Sequence, residues 1–400
     1  MKNKNKFASI VIFLSVSIML VSYGNQKVEW KGKIEKEKGI TVIKNPREPL
    51  YGEIKFELEE DLSIGNQQDE NYLFYKARDI QVSKNGDIYI SDSGNYRVQR
   101  FDKNGNYLLT IGRKGQGPGE FNYPLELQID DETGKIYVND DSRKIKIFNK
   151  EGNYINKDII LEGVLSDFYL DSDRNIWGKF FLPGFHSIKK VNQIGKVVQK
   201  LAESPFMFTK KIFSIEKVGN RGYAQGLFIT HGYEHDSYIS KIDNQTFIYG
   251  YSKKYELNIF DKEGNILIKI KKDEPYKKFT KEEKSRIENR EKVGLISKGY
   301  PYQGISFRFP KHMPFFYSIF TDCRGRIYVR RNPRERAGNG ERVYDIFSKE
   351  GYYLYRATVP SSSYIIRNGY LYTRIVNEDT GEELVKRYKI KNWEEIKEGI

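Results

Sequence analysis

NGDIYISDSGNYRVQRFDKNGNYLLTIG, Asn85–Gly112, decides the fold, because it returns as TGKIYVNDDSRKIKIFNKEGNYI, Thr133–Ile155, and four more times in weaker form. Self-similarity of this kind marks a repeat architecture. Two anchors hold its register. One is an apolar residue after a turn: Ile88, Ile136, Ile176, Phe247, Ile327 and Leu371. The other is an apolar residue four positions before a glycine: Phe101, Phe148, Val191, Phe260 and Phe347 before Gly105, Gly152, Gly195, Gly264 and Gly351. The KNG and KEG tripeptides ending at Gly105, Gly152, Gly264 and Gly351 predict hairpin turns, since glycine takes the positive φ that tight turns demand. DIYIS, RVQRF and YLLTI carry the β-branched and aromatic residues of strands. Each unit is thus a four-stranded meander.

Six such units predict an all-β, six-bladed β-propeller of four-stranded antiparallel blades, which leaves only short, protected edges. The sixth unit supports a closed ring by what it lacks. After Leu371 and LVKRYKI comes KNWEEIKEGI, with no fourth strand, whereas DLSIG (Asp61–Gly65) matches the fourth-strand ending LLTIG (Leu108–Gly112). An N-terminal strand is therefore expected to complete the last blade. The expected organisation is a signal peptide at 1–24, an N-terminal hairpin extension at 25–56, the propeller at 57–391 and a C-terminal tail at 392–400.

Asp79–Phe121, with DSGNYRVQRFD and the loop IGRKGQGPGEFNYP, resembles an NHL repeat, and the chain from about residue 57 to 391 more loosely resembles bacterial secreted six-bladed propellers. Blade three departs from the pattern, with Trp177 and with Val191 in place of the usual Phe. The resemblance implies the fold more firmly than a task, because NHL-type propellers bind proteins, RNA or glycans, or act as lyases.

Lys2, Lys4 and Lys6 precede an apolar run from Phe7 to Val21 and then small residues near Gly24, the pattern of an export leader. In LVSYGN, Tyr23 stands where a lipoprotein signal would place its acylated cysteine, so the expectation is a protein exported to the periplasm or medium without a lipid anchor or a transmembrane segment in the mature chain. The formal charge is +14, and loss of the three leader lysines leaves +11, which suits anionic envelope components, acidic glycans or acidic proteins. Nucleic acid is not expected after export, and a monomer is. Cys323 is the one cysteine, so no intrachain disulfide forms, and a small buried hydrophobe on a strand is expected there.

Strand polarity places the second-to-third turns and the blade-to-blade connections on one face. Long segments fall there, at 202–236, 273–313 and 331–341, while the opposite turns are short. Long loops on a rigid scaffold commonly carry binding. The second segment predicts a helix: FTKEEKSRIENREKVGL offers Thr280 as N-cap and Glu283 as its capping-box partner.

Three constellations carry candidate chemistry. Arg330, Arg331, Arg334 and Arg336 form a cluster on a turn-rich connection, and arginine forks suit carboxylate, sulfate or phosphate. His186, His231, His235 and His312 are all expected in connections on the long-loop face. His231, His235 and His312 could share Zn²⁺ or another divalent ion, although no HExxH-type motif is present. Asp92, Asp140 and Asp141 end second strands, where capping their own turns competes with calcium. GRKGQGPGEF (Gly112–Phe121) lacks the P-loop pattern and leads to a strand, so it reads as an inter-blade turn. The sequence therefore supports an exported, non-catalytic binding module for a polar or anionic partner, with no cofactor. The alternative is a lyase- or lactonase-type enzyme using Zn or Ca on the same face.

Overall fold

Six blades follow one another along the chain in the computed structural model, which describes residues 29–65, 69–155, 158–182, 184–205, 210–218, 221–229, 234–296, 305–332, 341–359 and 364–400. Blade one runs Ala77–Val82, Ile88–Asp92, Arg97–Phe101 and Tyr107–Ile111. Blade two runs Pro124–Asp130, Lys135–Asp140, Lys144–Phe148 and the short Ile159–Ile160. Blade three comprises Val164–Leu170, Ile176–Leu182, Phe185–Val191 and Val197–Pro205. Blade four comprises Ser237–Lys241, Thr246–Tyr251, Glu256–Asp261 and Ile266–Lys272. Blade five has Ile319–Thr321, Ile327–Arg330, Arg342–Phe347 and Tyr353–Val359. Blade six has Tyr364–Arg367, Tyr370–Val376 and Glu383–Ile390, and Leu58–Ile64 pairs antiparallel on its outer edge.

That last pairing closes the ring. Leu62 lies opposite Arg387 and Ile64 opposite Val385, and Arg387 clamps Asp61 with Nε and Nη2 at 2.9 and 3.0 Å. The first strands of blades one to five touch in succession, and that of blade six touches that of blade one.

The anchor residues explain why the sheets pack. Ile88, Ile136, Ile176, Phe247, Ile327 and Leu371 are all fully buried, as are Phe101, Phe148, Val191, Phe260 and Phe347. Apolar side chains of this size each contribute about 1.5–3 kcal/mol on burial. The clusters they build run between blades: Tyr89, Val98 and Ile111 of blade one meet Leu127, Ile136 and Phe148 of blade two. In blade three, Trp177 packs edge-on against Phe260 of blade four at 4.9 Å, so the large ring comes from the second strand and Val191 suffices in the third.

Residues ahead of the closing strand do more than form a hairpin. Lys33–Glu37 and Ile40–Asn45 pair antiparallel, and the second lies parallel to the outer strand of blade four. Glu53–Lys55 then runs parallel to the outer strand of blade five. Asn45 bridges the two blades, donating to the Gly351 carbonyl and accepting from the Tyr353 amide, both at 2.8 Å. The end of the chain also packs: Trp393 and Ile396 are buried, and the Arg326 guanidinium lies 4.0 Å from the Trp393 ring centroid.

The long connections hold a sheet that the sequence did not suggest. Lys210–Val218 and Arg221–Ile229 form a hairpin between blades three and four, and Ile305–Arg308, from the segment before blade five, lies parallel to its second strand. The expected helix is there, at Lys281–Ile296. Its capping box forms as read, with the Thr280 amide donating to Glu283 at 2.8 Å and the Glu283 amide to Thr280 Oγ1 at 3.2 Å. Phe279 and Ile287 pack on Met313, while Val293 stays exposed.

Candidate binding face

The histidines divide. His186 is not in a connection but on the third strand of blade three, buried, with Nδ1 at 2.6 Å from Asp236. Lys179 also reaches Asp236, at 3.0 Å. Burial opposes the Asp236 charge, but His186 and Lys179 outweigh it and hold its carboxyl below the usual range. His235 and His312 do come together, Nε2 to Nδ1 at 3.3 Å. The Met313 carbonyl, 2.9 Å from His312 Nδ1, can only accept, so that nitrogen carries the proton it shares with His235. Burial, then the neighbouring His312, brings His235 down to about 4 and keeps it neutral. The protonated nitrogen of His312 is not free for a metal in this arrangement. His231 lies outside the described residues, and among those described no group of three His, Cys, Asp or Glu is placed to hold a metal ion. Next in sequence to His235, both carboxylate oxygens of Glu234 are buried with no partner among the described residues, and burial raises its pKa to about 7.

The arginines divide as well. Arg330 ends a strand of blade five with Nη2 on the Tyr317 carbonyl at 3.1 Å and its guanidinium over the Tyr317 ring, while its Nε is buried with no partner among the described residues. Arg331 points the other way and corrects the expectation of a protruding cluster. It is buried, with Nη1 2.8 Å from Asp345 and Nη2 3.0 Å from Glu274. Asp345 accepts further from the hydroxyls of Tyr255 and Tyr353, both at 2.5 Å, and Lys272 bonds Glu274. Burial works against Asp345, yet Lys272 and Arg331 keep it below its usual range. Arg331 thus neutralises two inward carboxylates between blades four and five. Arg334 and Arg336 lie outside the described residues.

The second-strand aspartates correct the expectation that they cap their own turns: Asp92 makes no side-chain cap bond to the turn it opens. Asp92 accepts from the Tyr75 amide at 2.8 Å and from Arg97 Nε at 2.9 Å, and Asp140 from the Tyr123 amide at 2.7 Å. Each ties a second-strand end to the incoming inter-blade segment. The glycine-rich stretch is an inter-blade turn pinned by Gly117 N to Glu120 at 3.0 Å. Cys323 corrects a lesser expectation: it is exposed in a turn, with the Asn368 amide on its sulfur at 3.3 Å, not buried on a strand.

Sequence reasoning missed a feature of the channel wall. Asp79, Glu126 and Asp167 occupy matching positions on the first strands of blades one to three, each just before a buried Ile80, Leu127 or Phe168. Aligning ARDIQV, LELQID and SDFYLD would have exposed it. Asp79 is tied by the Leu127 amide at 2.9 Å, and Glu126 by Asn139 Nδ2 at 2.7 Å. Burial pushes Asp79 up to about 6, and burial with the nearby Asp167 pushes Glu126 up to about 7.

The chain belongs to the six-bladed β-propeller family DUF5128, whose profile matches residues 67–274. A Bacteroides fragilis protein described as a candidate exported protein aligns over 88% of this chain and 99% of its own, at 13% identity and a TM-score of 0.50. A DUF4221 member from Bacteroides vulgatus aligns over 84% and 98%, also at 13% identity and 0.50. Both likenesses speak for the fold. Protein brain tumor of Drosophila melanogaster is 29% identical over 86 residues, 21% of this chain and only 8% of that protein. Among the described residues no helix is long and apolar enough to cross a membrane.

Proposed function

We propose that this propeller is an exported, non-catalytic binding module that meets a polar or anionic partner through its long-loop face. The observation that carries the reading is that the insertions before blades four and five converge on one face and pair with each other, Arg221–Ile229 with Ile305–Arg308. A rigid ring thereby presents one elaborated surface. Arg330, half-buried at the end of a blade-five strand, is the candidate contact of the arginine cluster within the described residues. The leader-like N-terminus supports export, and the Bacteroides fragilis protein of similar fold is itself described as exported. The test is retention of the full chain on heparin at low salt. Binding through this face predicts elution by moderate salt and earlier elution of Arg330→Ala, because a contact between solvated charges is screened within about 8–10 Å. A wild-type protein that passes straight through at low salt would sink the reading. Arg331→Ala is unsuited to the purpose, since it strips Asp345 and Glu274 of their shared cation.

The second reading, metal-dependent catalysis on the same face, draws on the His235–His312 pair. Elemental analysis of the purified protein separates the two, and a stoichiometric Zn or Ca would favour catalysis.

A further inference from the structure

Over blades one and two, on the same face as the long loops, three tyrosines each hold a cation against the ring. Lys76 Nζ lies 5.0 Å from the Tyr75 centroid, Lys114 Nζ 4.9 Å from Tyr96, and the Arg78 guanidinium 5.8 Å from Tyr123. The three rings share one backbone network. Gly94 N donates to the Tyr75 carbonyl at 2.7 Å, and Tyr96 closes the same turn in the left-handed region at φ 57°. Ser91 Oγ donates to the Pro124 carbonyl at 3.0 Å and Ser93 Oγ does so too, which seats that turn beside Tyr123. Asp141 N then donates to the Tyr123 carbonyl at 3.0 Å.

Three carboxylates beside these turns are committed elsewhere. Asp92 and Asp140 face inward onto backbone amides, and Glu120 is paired with Arg113 at 3.0 Å. Lys76, Arg78 and Lys114 are exposed and form no ion pair among the described residues. Tyr75 and Leu73 beside it are 54% and 47% exposed. Buried basic side chains of blades three to five are neutralised by carboxylates at Lys179, Lys190, Lys272 and Arg331. The rim over blades one and two is different: its cations are held by rings and left for something outside.

We propose that this tyrosine–cation rim is the contact surface for an acidic polysaccharide, a chain of carboxylated or sulfated sugars. The inference rests on the long-loop face being a binding surface and gives that face a location and a ligand class. Tyrosine offers a flat, stiff surface to the C–H side of a sugar ring at low entropic cost, and a cation stacked on it is already partly desolvated and fixed in position. Exposed Glu70 and Asp141 border the rim, so the partner must space its charges between neutral hydroxyl-bearing stretches. An acidic polysaccharide does so, whereas a phosphodiester strand carries a charge at every link.

The test is calorimetric titration of the full chain with polygalacturonate, with dextran sulfate as the sulfated source and poly(U) as the nucleic acid. We expect binding to one of the two polysaccharides that weakens about tenfold in Tyr75→Ala and in Arg78→Ala, with the melting temperature unchanged. Polysaccharide binding equally tight in wild type and both variants overturns the rim, and heparin retention that still depends on Arg330 would then leave the broader reading standing. Tighter binding of poly(U), lost in the same variants, overturns the ligand class. If neither heparin nor either polysaccharide binds, the broader reading falls first and takes the rim with it.

Discussion

Arg330 and Arg331 are adjacent in sequence and opposite in role, which is the plainest case of what residue types alone conceal. Successive residues of an extended chain point to opposite sides. On one side Arg330 lies against Tyr317, and on the other is a buried seam where Asp345 and Glu274 wait for a cation. A run of arginines announces charge but not direction, and the partners of Arg331 come from distant strands. Glu126 was illegible for a related reason, since an acid on a strand reads as solvent-facing until the ring turns it toward Asp79 and Asp167. Its raised pKa, about 7 against an ordinary 4.5, carries a prediction. Between those values the folded state binds more protons at this site than the unfolded chain does. The site therefore costs stability increasingly as pH rises through that window. His235, held near 4 from an ordinary 6.5, acts oppositely, because it loses stability as pH falls through the same range. The clean readout is thus a difference. Glu126→Gln keeps an acceptor for Asn139 and removes the titration, so its melting temperature should gain on that of wild type as pH goes from about 4.5 to about 7. A gap that does not change with pH would show that Glu126 ionises freely in the fold.

At the scale of elements the sequence was most informative where one residue meets several demands. The KNG and KEG glycines Gly105, Gly152, Gly264 and Gly351 read as turn residues, and they and Gly195 at the same repeat position all have φ between 81 and 97°. The structure adds a second demand. Each of these turns abuts the outer strand of the preceding blade: a Cβ on Gly152 would lie 3.0 Å from Leu109 Cδ1, and one on Gly195 would collide with the Ile160 carbonyl. The repeat glycine therefore spaces the blades as well as turning the hairpin. Gly39, in the appended hairpin at φ 86°, has nothing within 4 Å of such a Cβ and serves as the control. Gly39→Ala should cost about 1–2 kcal/mol from the left-handed backbone alone. Gly195→Ala should cost clearly more in chemical denaturation, because the blade edge must also move. Equal costs would mean that the contact between blades yields freely. The strands of the inserted sheet gave no comparable signal, since Arg221–Ile229 finds its parallel partner Ile305–Arg308 only after blade four intervenes. The helix was legible because its capping box is local.

For the whole molecule, ring closure could be read from a missing strand, but the path of the chain before it could not. Residues 33–64 walk around the outside of three blades, adding strands to the edges of four and five and then completing six. Pairings that join the start of a chain to strands hundreds of residues later have no local signature. An open outer strand is a template for unwanted association, and the two parallel additions cover such edges where the ring is finally sealed. The strap and the closing strand should accordingly separate by truncation. A chain beginning at Glu57 retains Leu58–Ile64, so it should keep a single cooperative melt while losing a few degrees and associating at high concentration, because the edges of blades four and five are bare. A chain beginning after Gly65 lacks the fourth strand of blade six and the Asp61–Arg387 clamp, and should lose cooperative melting altogether. Scanning calorimetry with size-exclusion chromatography distinguishes the two. If both truncations melt alike, the ring is held by contacts between its inner strands, and the N-terminal strand is ornament instead of latch.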